Sequence, residues 1–211
     1  IRHPRRDPLR ILGASHLVLA TQPRDQAMKT FIQHAKVLFM DYFYPSLSAG
    51  HKAEQLFERQ AAENKWIIEK IAQDKESFEK YRSVATSPVK RGDYICRNCN
   101  NAEIEVKCKT SYTNPDGRYF LIEYSHIKRH LEMNKITGSK TVFAFYERLR
   151  SNPIPHSLRM VDLDFLIQTH DYQKGKLYNK STKCIIVPFK YTRDGFKVLE
   201  ILAANNTSAK D

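Results

Sequence analysis

The sequence predicts one α/β or α+β domain in which helices flank a central mixed sheet. Two observations support this class. Apolar residues recur at helical spacing in the first part of the chain, and later they alternate with polar residues, as in strands. The chain has 211 residues, which is enough for one substantial core but too few for two. We therefore expect helices first, then strands, then a mixture of both.

Helical periodicity dominates the first part of the chain. One helix is expected over residues 25–44 and a second over residues 49–74, followed by another turn or two over residues 76–82. We divide the chain into an N-terminal helical extension, residues 1–48, and one domain, residues 49–211. The core of that domain is expected to end near residue 147, and the rest elaborates it.

A β-meander is expected after these helices. Residues 93–96 form a short predicted strand, and residues 103–111 alternate between charged and apolar side chains. The segment Asn114-Pro115-Asp116-Gly117 is a strong turn signal, and a third strand over residues 118–124 follows it. Three strands joined by short turns predict an antiparallel meander.

The remaining elements mix helix and strand. Ser125 is a suitable N-cap, and Gly138 is a suitable C-terminal stop, for a helix between them. Beyond it we expect strands over residues 141–146, 158–161 and 184–188, a short helix over residues 162–169, and a weaker extended segment near residues 197–202.

The charge of the chain favours an anionic partner. Lys and Arg total 35 against 23 acidic residues, a net charge of +12, and nucleic acid is the commonest partner of such a chain. The alternative is a basic surface that only keeps the protein soluble. No segment approaches the roughly 20 apolar residues of a membrane span. Four cysteines do not make a disulfide framework in a chain of this length, so we expect reduced thiols and a cytoplasmic location.

One face of the second strand carries unusual charge. Glu103, Glu105, Lys107 and Lys109 share this face, and Asp93 lies on the strand before it. If the two strands pair, Asp93 comes beside Glu105, and the two carboxylates repel each other unless a cation lies between them. Mg²⁺ prefers such carboxylate oxygens. The alternative is a half-exposed strand whose charges simply face water.

A cation at this position would make phosphodiester chemistry possible. Two carboxylates and a backbone carbonyl, which we assign to Val106, leave coordination positions for a phosphate oxygen and an attacking water. Lys107 lies on the face of Glu105 and reaches the same place. Its ammonium group can orient the water and stabilise charge that develops on the phosphate.

These residues resemble the PD-(D/E)xK nuclease superfamily, whose members share a restriction-endonuclease-like core. The resemblance is carried by Gly92-Asp93-Tyr94-Ile95 and by Ala102-Glu103-Ile104-Glu105-Val106-Lys107, and with the order of elements it covers roughly residues 49–147. It implies a nuclease acting on DNA, with Asp93 and Glu105 binding Mg²⁺ or Mn²⁺ and Lys107 assisting the nucleophile. Gly92 stands where the proline of the motif would be. Glu103 shares the face of Glu105, but the spacing to Lys107 favours Glu105.

The resemblance also implies residues outside the strands. Family members often add an acid from the first core helix, and Glu54 is our candidate, with Glu58 one turn away as the alternative. The helix after the third strand often offers a basic residue to the phosphate, which points to Lys128 and Arg129. With Lys109 they form the expected nucleic-acid-binding set. A solvated basic or acidic helix face remains the alternative for each.

Other functions stay open at the level of sequence. A non-catalytic nucleic-acid-binding or scaffold module on the same fold is one, and an RNA nuclease is another. Cys96 and Cys99 have the spacing of half a zinc site but lack a second pair, which favours two reduced thiols in a turn. A homodimer or a larger complex is compatible with the sequence.

Overall fold

A computed structural model describes residues 45–72, 75–149 and 155–207. All of them belong to one compact unit, residues 40–211. The helix expected over residues 25–44 and the N-terminal extension lie outside the described residues, apart from residues 45–48. The helices are α1 Pro45–Glu63, α2 Lys75–Arg82, α3 Tyr124–Thr137, α4 Leu163–Gln168, α5 His170–Gln173 and α6 Lys197–Thr207. None of these is long and apolar enough to cross a membrane.

The strands form two sheets. They are β1 Ile68–Lys70, β2 Tyr94–Cys96, β3 Ala102–Lys109, β4 Tyr112–Asn114, β5 Gly117–Glu123, β6 Thr141–Glu147, β7 Leu158–Asp162, β8 Tyr178–Asn179, β9 Cys184–Pro188 and β10 Arg193–Asp194. The larger sheet has the order β1-β2-β3-β6-β7-β10, and only its β3–β6 pair is parallel. The smaller sheet is antiparallel, in the order β4-β5-β9-β8. The predicted α/β class, with a mixed central sheet and flanking helices, is confirmed.

Helices cover one face of the larger sheet. Ile104 and Val106 of β3 point to this face and pack in one apolar cluster with Phe57 of α1 and Leu199 of α6. Fully burying a side chain of this size contributes roughly 1.5–3 kcal/mol to folding. The alternation of β3 therefore leaves its charged side chains on the opposite face.

The smaller sheet covers that opposite face. Phe143 and Phe145 of β6 lie in a second apolar cluster with Phe120 of β5, and the rings of Phe120 and Phe145 stack at 4.7 Å between centroids. Glu105 is the register partner of Phe143 in the parallel pair. The charged face of β3 therefore lies in the same layer as the smaller sheet and α3.

The first described helix is shorter than predicted. Helix α1 ends at Glu63 instead of continuing to residue 74, and Lys65 takes a left-handed φ of 62°. A left-handed residue cannot continue a right-handed helix. The chain then forms β1, which pairs with β2 through Ile68 and Cys96. The prediction of helix after Glu63 is wrong because a strand of three residues is too short to show a period of its own.

The predicted three-stranded meander is wrong in its third strand. Strands β2 and β3 do pair in antiparallel fashion, but β5 lies in the smaller sheet, and β6 is the second neighbour of β3. The turn at Asn114–Gly117 joins β5 to the short strand β4 instead. Phe120 and Ile122 of β5 are fully buried because β5 packs across the face of β6. If β5 instead paired with the edge of β3, this packing would not cover the two side chains.

The last element also differs from the prediction. Residues 197–202 were expected to be extended, but they begin helix α6. Val198, Leu199 and Leu202 are buried, a spacing that places them on one face of a helix against the first apolar cluster. The predicted strands over residues 141–146, 158–161 and 184–188 are confirmed, as is the helix with Gly138 at its C-terminal stop, where φ is 69°. The predicted N-cap is wrong, because the helix begins at Tyr124 and Ser125 lies within it.

Candidate active site

The β2–β3 pair brings Asp93 beside the centre of β3. The backbone N–H of Asp93 donates to the carbonyl of Ile104 at 2.7 Å. The backbone N–H of Val106 in turn donates to Oδ2 of Asp93 at 2.8 Å. The Asp93 carboxylate is therefore fixed against β3, one residue from Glu105.

Two lysines meet at the buried carboxylate of Glu105. The side chain of Glu105 is fully buried, and the ammonium groups of Lys107 and Lys90 both donate to its Oε1. Burial alone would raise the pKa of Glu105, but Lys107 and Lys90 outweigh it and leave that pKa lowered. Glu105 is thus ionised and held between two cations.

The ionisable groups around Glu105 have pKa values that are shifted in different directions. Burial, and after it repulsion from Glu105, raises the pKa of Asp93 to about 6. Burial would lower the pKa of Lys107, but the Glu105 carboxylate outweighs it and leaves that pKa raised. Burial dominates at Lys90, whose pKa is lowered despite Glu105. Lys90 is therefore the lysine of the pair that loses its proton more easily, and perturbed groups so close together mark a candidate functional site.

Helix α3 adds a buried histidine to the site. Nε2 of His130 lies 3.6 Å from Oε2 of Glu105, just beyond hydrogen-bonding distance, and the ring meets Phe143 edge-on. Burial lowers the pKa of His130 to about 3, so its imidazole is neutral. Among the described residues, neither ring nitrogen of His130 nor Oε2 of Glu105 has a hydrogen-bond partner.

Glu103 is used differently from Glu105. One of its oxygens accepts from Nε and Nη2 of Arg91 at 3.0 and 2.8 Å, and the other accepts from the backbone N–H of Gly92 at 2.9 Å. A Cβ at Gly92 would lie only 2.8 Å from the carbonyl oxygen of Ile104. Glycine thus lets the segment before β2 approach β3 closely, and a proline here would also lack the N–H that Glu103 accepts. Because both carboxylate oxygens of Glu103 are already hydrogen-bonded, Glu105 is the better candidate for the metal-binding residue.

The donor set at Asp93 and Glu105 fits a hard cation. The described part of the chain has no cluster of three or more His, Cys, Asp or Glu side chains that could hold a metal ion. The expected set needs only two carboxylates and the carbonyl of Val106. In a strand, the C=O of a residue points to the same neighbour as its N–H, and the N–H of Val106 points to Asp93. The unpartnered Oε2 of Glu105 is the kind of buried oxygen that a cation satisfies.

Helix α1 reaches the site through Lys70. Lys70 of β1 donates to Glu54 at 3.0 Å and lies 3.9 Å from Glu58, which accepts from the hydroxyl of Tyr94 at 2.7 Å. The pKa of Lys70 is raised, mainly by the hydrogen bond to Glu54 and to a smaller extent by Asp93. Lys70 therefore stands between the helix acids and Asp93, and the catalytic role of Glu54 stays a prediction.

The three predicted nucleic-acid contacts lie in different surroundings. Lys109 is half-buried at the end of β3, where burial and Lys107 lower its pKa. Lys128 and Arg129 are exposed on α3, and the ammonium group of Lys128 lies 5.7 Å from the ring centroid of Tyr124. The backbone carbonyl of Arg129 accepts from the N–H of Lys90 at 3.3 Å. The α3 residues that turn toward Glu105 are instead His130 and, one turn earlier, His126, whose pKa is lowered by burial and by Lys90.

The sequence pattern does not predict a role for Lys90, Lys70 or His130. Lys90 precedes Asp93 in an irregular segment, and Lys70 lies on a strand that was read as helix. His130 had a weak signal, since it follows the buried Ile127 at helical spacing and so shares the inner face of α3.

Comparison with known proteins adds no assignment to this geometry. No protein-family model matches the sequence, and no curated protein matches it.

Proposed function

We propose that this protein is a metal-dependent nuclease that hydrolyses phosphodiester bonds in DNA, on a restriction-endonuclease-like core of the PD-(D/E)xK type. One observation carries the proposal. The carboxylates of Asp93 and Glu105 and the ammonium group of Lys107 meet on one face of β3, in the order and spacing of that motif. The net charge of +12 supports a polyanionic substrate.

Asp93, Glu105 and the carbonyl of Val106 are the groups that would hold Mg²⁺ or Mn²⁺. Such an ion supplies Lewis-acid stabilisation of the phosphate and a more acidic bound water. The protein itself supplies positive charge from Lys107 and Lys90, both within reach of one carboxylate oxygen. These ammonium groups orient a phosphate and stabilise the charge that builds on it. Burial lowers the pKa of Lys90, so Lys90 loses its proton more readily than Lys107. Only the neutral amine of Lys90, and not the ammonium group that donates to Glu105, is able to accept a proton from an attacking water.

A second candidate is a non-catalytic nucleic-acid-binding module on the same fold. It is favoured by the two lysines that already neutralise Glu105, since such a carboxylate needs no cation for the fold to be stable. RNA as the substrate is a variant of the leading proposal, because the same groups act on either phosphodiester.

The test uses supercoiled plasmid and a labelled RNA, each incubated with Mg²⁺, with Mn²⁺ or with EDTA. We expect metal-dependent nicking by the wild type and a loss of at least about a hundredfold in Asp93→Ala and Lys107→Ala. Lys197→Ala is the control, because Lys197 is exposed at the start of α6, in the layer on the other face of the larger sheet.

The outcomes separate the candidates. Undiminished cleavage in both site variants would contradict the assignment of Asp93 and Lys107. Nucleic-acid binding without cleavage under either divalent ion would favour the non-catalytic module. Cleavage of the RNA alone would change the substrate and leave the site in place.

A further inference from the structure

A basic aromatic patch lies where α3 begins, next to the turn between β8 and β9. We define it as Tyr124, Tyr178, Lys128, Lys180 and Lys183. The rings of Tyr124 and Tyr178 lie 5.3 Å apart, and each tyrosine is 37% exposed. The ammonium group of Lys128 lies 5.7 Å from the centroid of the Tyr124 ring. Two partly exposed rings thus stand side by side, with the ammonium group of Lys128 near one of them and two further lysines on the adjoining turn.

Backbone contacts fix the position of this patch. The N–H of Tyr124 donates to the carbonyl of Lys183 at 3.0 Å, which ties the start of α3 to the β8–β9 turn. Within the turn, Oδ1 of Asn179 accepts from the backbone N–H groups of Ser181 and Thr182 at 3.1 and 3.2 Å. The rings and lysines are therefore presented by an ordered surface rather than by a free loop.

The positive charge of the patch is not neutralised within the fold. Lys128, Lys180 and Lys183 are exposed, and none of them pairs with an acid among the residues that the structure describes. By contrast, Lys176 and Lys190, on the neighbouring surface, both pair with Asp171. Uncompensated lysines beside aromatic rings are a suitable surface for a partner with both phosphates and flat bases.

The patch is continuous with the candidate active site. Tyr124 precedes His126 by two residues, and Nε2 of His126 lies 3.6 Å from Oε2 of Glu123. Glu123 is the register partner of Cys184, next to Lys183. Lys109, on the strand of Glu105 and Lys107, is close enough to Glu123 for the carboxylate charge to affect its pKa. A line of groups thus runs from the buried carboxylates along β3 to the edge of the patch.

We propose that the basic aromatic patch binds a single-stranded segment of the nucleic-acid substrate. Bases stack on Tyr178 and Tyr124, and the backbone phosphates contact the three lysines. This inference deepens the proposed function, on which it rests, because it names the form of substrate that reaches the site. Every base has a flat face, so the patch selects unpaired strands and not a base sequence. Substrates with a single-stranded flap or end therefore bind more tightly than blunt duplex.

The first test measures binding by fluorescence anisotropy of a labelled oligothymidylate of about 15 nucleotides. EDTA is present throughout, so cleavage cannot interfere. We expect Tyr178→Ala, and Tyr124→Ala in the same way, to weaken binding roughly tenfold. Tyr112→Ala is the matched control, because Tyr112 is also 37% exposed and stacks on a tyrosine, Tyr119, at 5.7 Å. It should bind like the wild type.

The second test separates charge from stacking. The slope of log affinity against log salt concentration is negative, and each phosphate contact on a single strand contributes about 0.7 to its magnitude. In Lys128→Gln/Lys180→Gln, which loses two such contacts, the magnitude of the slope should decrease by about 1.4. Lys65→Gln/Lys197→Gln removes the same charge from two exposed lysines elsewhere and should leave the slope unchanged. Oligouridylate, measured alongside, tells whether the strand is DNA or RNA.

Three results would contradict the proposal that the basic aromatic patch binds a single strand. They are wild-type affinity in the tyrosine variants, an equal loss in Tyr112→Ala, and blunt duplex bound as tightly as the single strand. Failure of this inference and failure of the proposed function are distinguishable. If the protein cleaves plasmid but shows any of the three results, only the proposal of single-strand binding at the patch is contradicted. A protein that binds the single strand through the patch but never cleaves contradicts only the nuclease.

Discussion

Asp93 carries a carboxylate whose ionisation opposes folding. Its pKa is raised from 3.8 to about 6, first by burial and then by Glu105. A raised pKa means that the protonated form favours the folded state, and this contribution is lost as the pH rises through about 6. The residue that would bind a cation therefore destabilises the protein at neutral pH when no cation is bound.

Asp93→Asn should reveal this cost directly. The amide cannot ionise, and its oxygen can still accept from the N–H of Val106. In EDTA at pH 8 we expect the variant to unfold with a free energy roughly 2–3 kcal/mol above the wild type. The difference should disappear below pH 3.8, where Asp93 is protonated in both states. Urea unfolding at several pH values measures it, and a pH-independent difference would contradict the assignment. Cleavage should be lost in the same variant.

Glu103 and Arg91 form a buried pair with a structural role. Their side chains are only 2% and 16% exposed, so removing one partner leaves the other charge buried. Arg91→Met should lower the free energy of unfolding by about 3 kcal/mol. The matched control is Arg97→Met, which breaks an exposed pair with Glu69 and should leave the free energy of unfolding nearly unchanged. Urea unfolding of both variants measures the difference. Equal effects of the two substitutions would show that Glu103 does not depend on Arg91.

Helix α6 provides a test at the level of secondary structure. Leu199 is fully buried in the first apolar cluster, whereas Ile201, two residues later, is 50% exposed. Leu199→Ala should therefore lower the free energy of unfolding by about 3 kcal/mol, and Ile201→Ala should change it by less than about 0.5 kcal/mol. Chemical denaturation measures both. If the segment were extended, the two positions would lie on one face and the two losses would be similar.

Elements were predictable where their own sequence carried the information. The alternation over β3 placed Glu105 and Lys107 on one face, and the structure has them there. The end of α1 depended on a left-handed residue, Lys65, whose identity gives no such signal. The sheet to which β5 belongs depended on the apolar face of β6, far away in the chain. A backbone conformation that the residue type does not signal decided the first case. Long-range packing, which a local pattern does not contain, decided the second.

The same distinction holds for the candidate site. Asp93 directly precedes β2, and Glu105 and Lys107 lie on its neighbour β3, so their spacing along the chain was informative. Lys90 and His130 reach Glu105 from an irregular segment and from a helix that docks through Phe143. Their contribution depends on tertiary docking, and no short pattern could have predicted it.

At the scale of the whole molecule, divalent cation should act as a stabilising ligand. An ion that binds only the folded state at tenfold its dissociation constant adds about 1.4 kcal/mol to the free energy of unfolding. We expect Mg²⁺ to raise the thermal midpoint of the wild type in a concentration-dependent way, and not that of Asp93→Ala. Lys197→Ala should respond like the wild type. The same shift in Asp93→Ala would place the cation elsewhere.

The parallel pairing of β3 with β6 sets an order of events in folding. The antiparallel β2–β3 pair joins neighbouring segments, whereas Glu105 meets Phe143 only after the whole connection through β4, β5 and α3 has folded back. Closing a long connection costs more entropy and is slower than forming a hairpin. Asp93 and Glu105 would thus come together in water, and their dehydration would fall on the later step. Refolding of the wild type should therefore slow as the pH rises from 3.8 to about 6 and then level off. Refolding of Asp93→Asn should show no such trend in stopped-flow experiments.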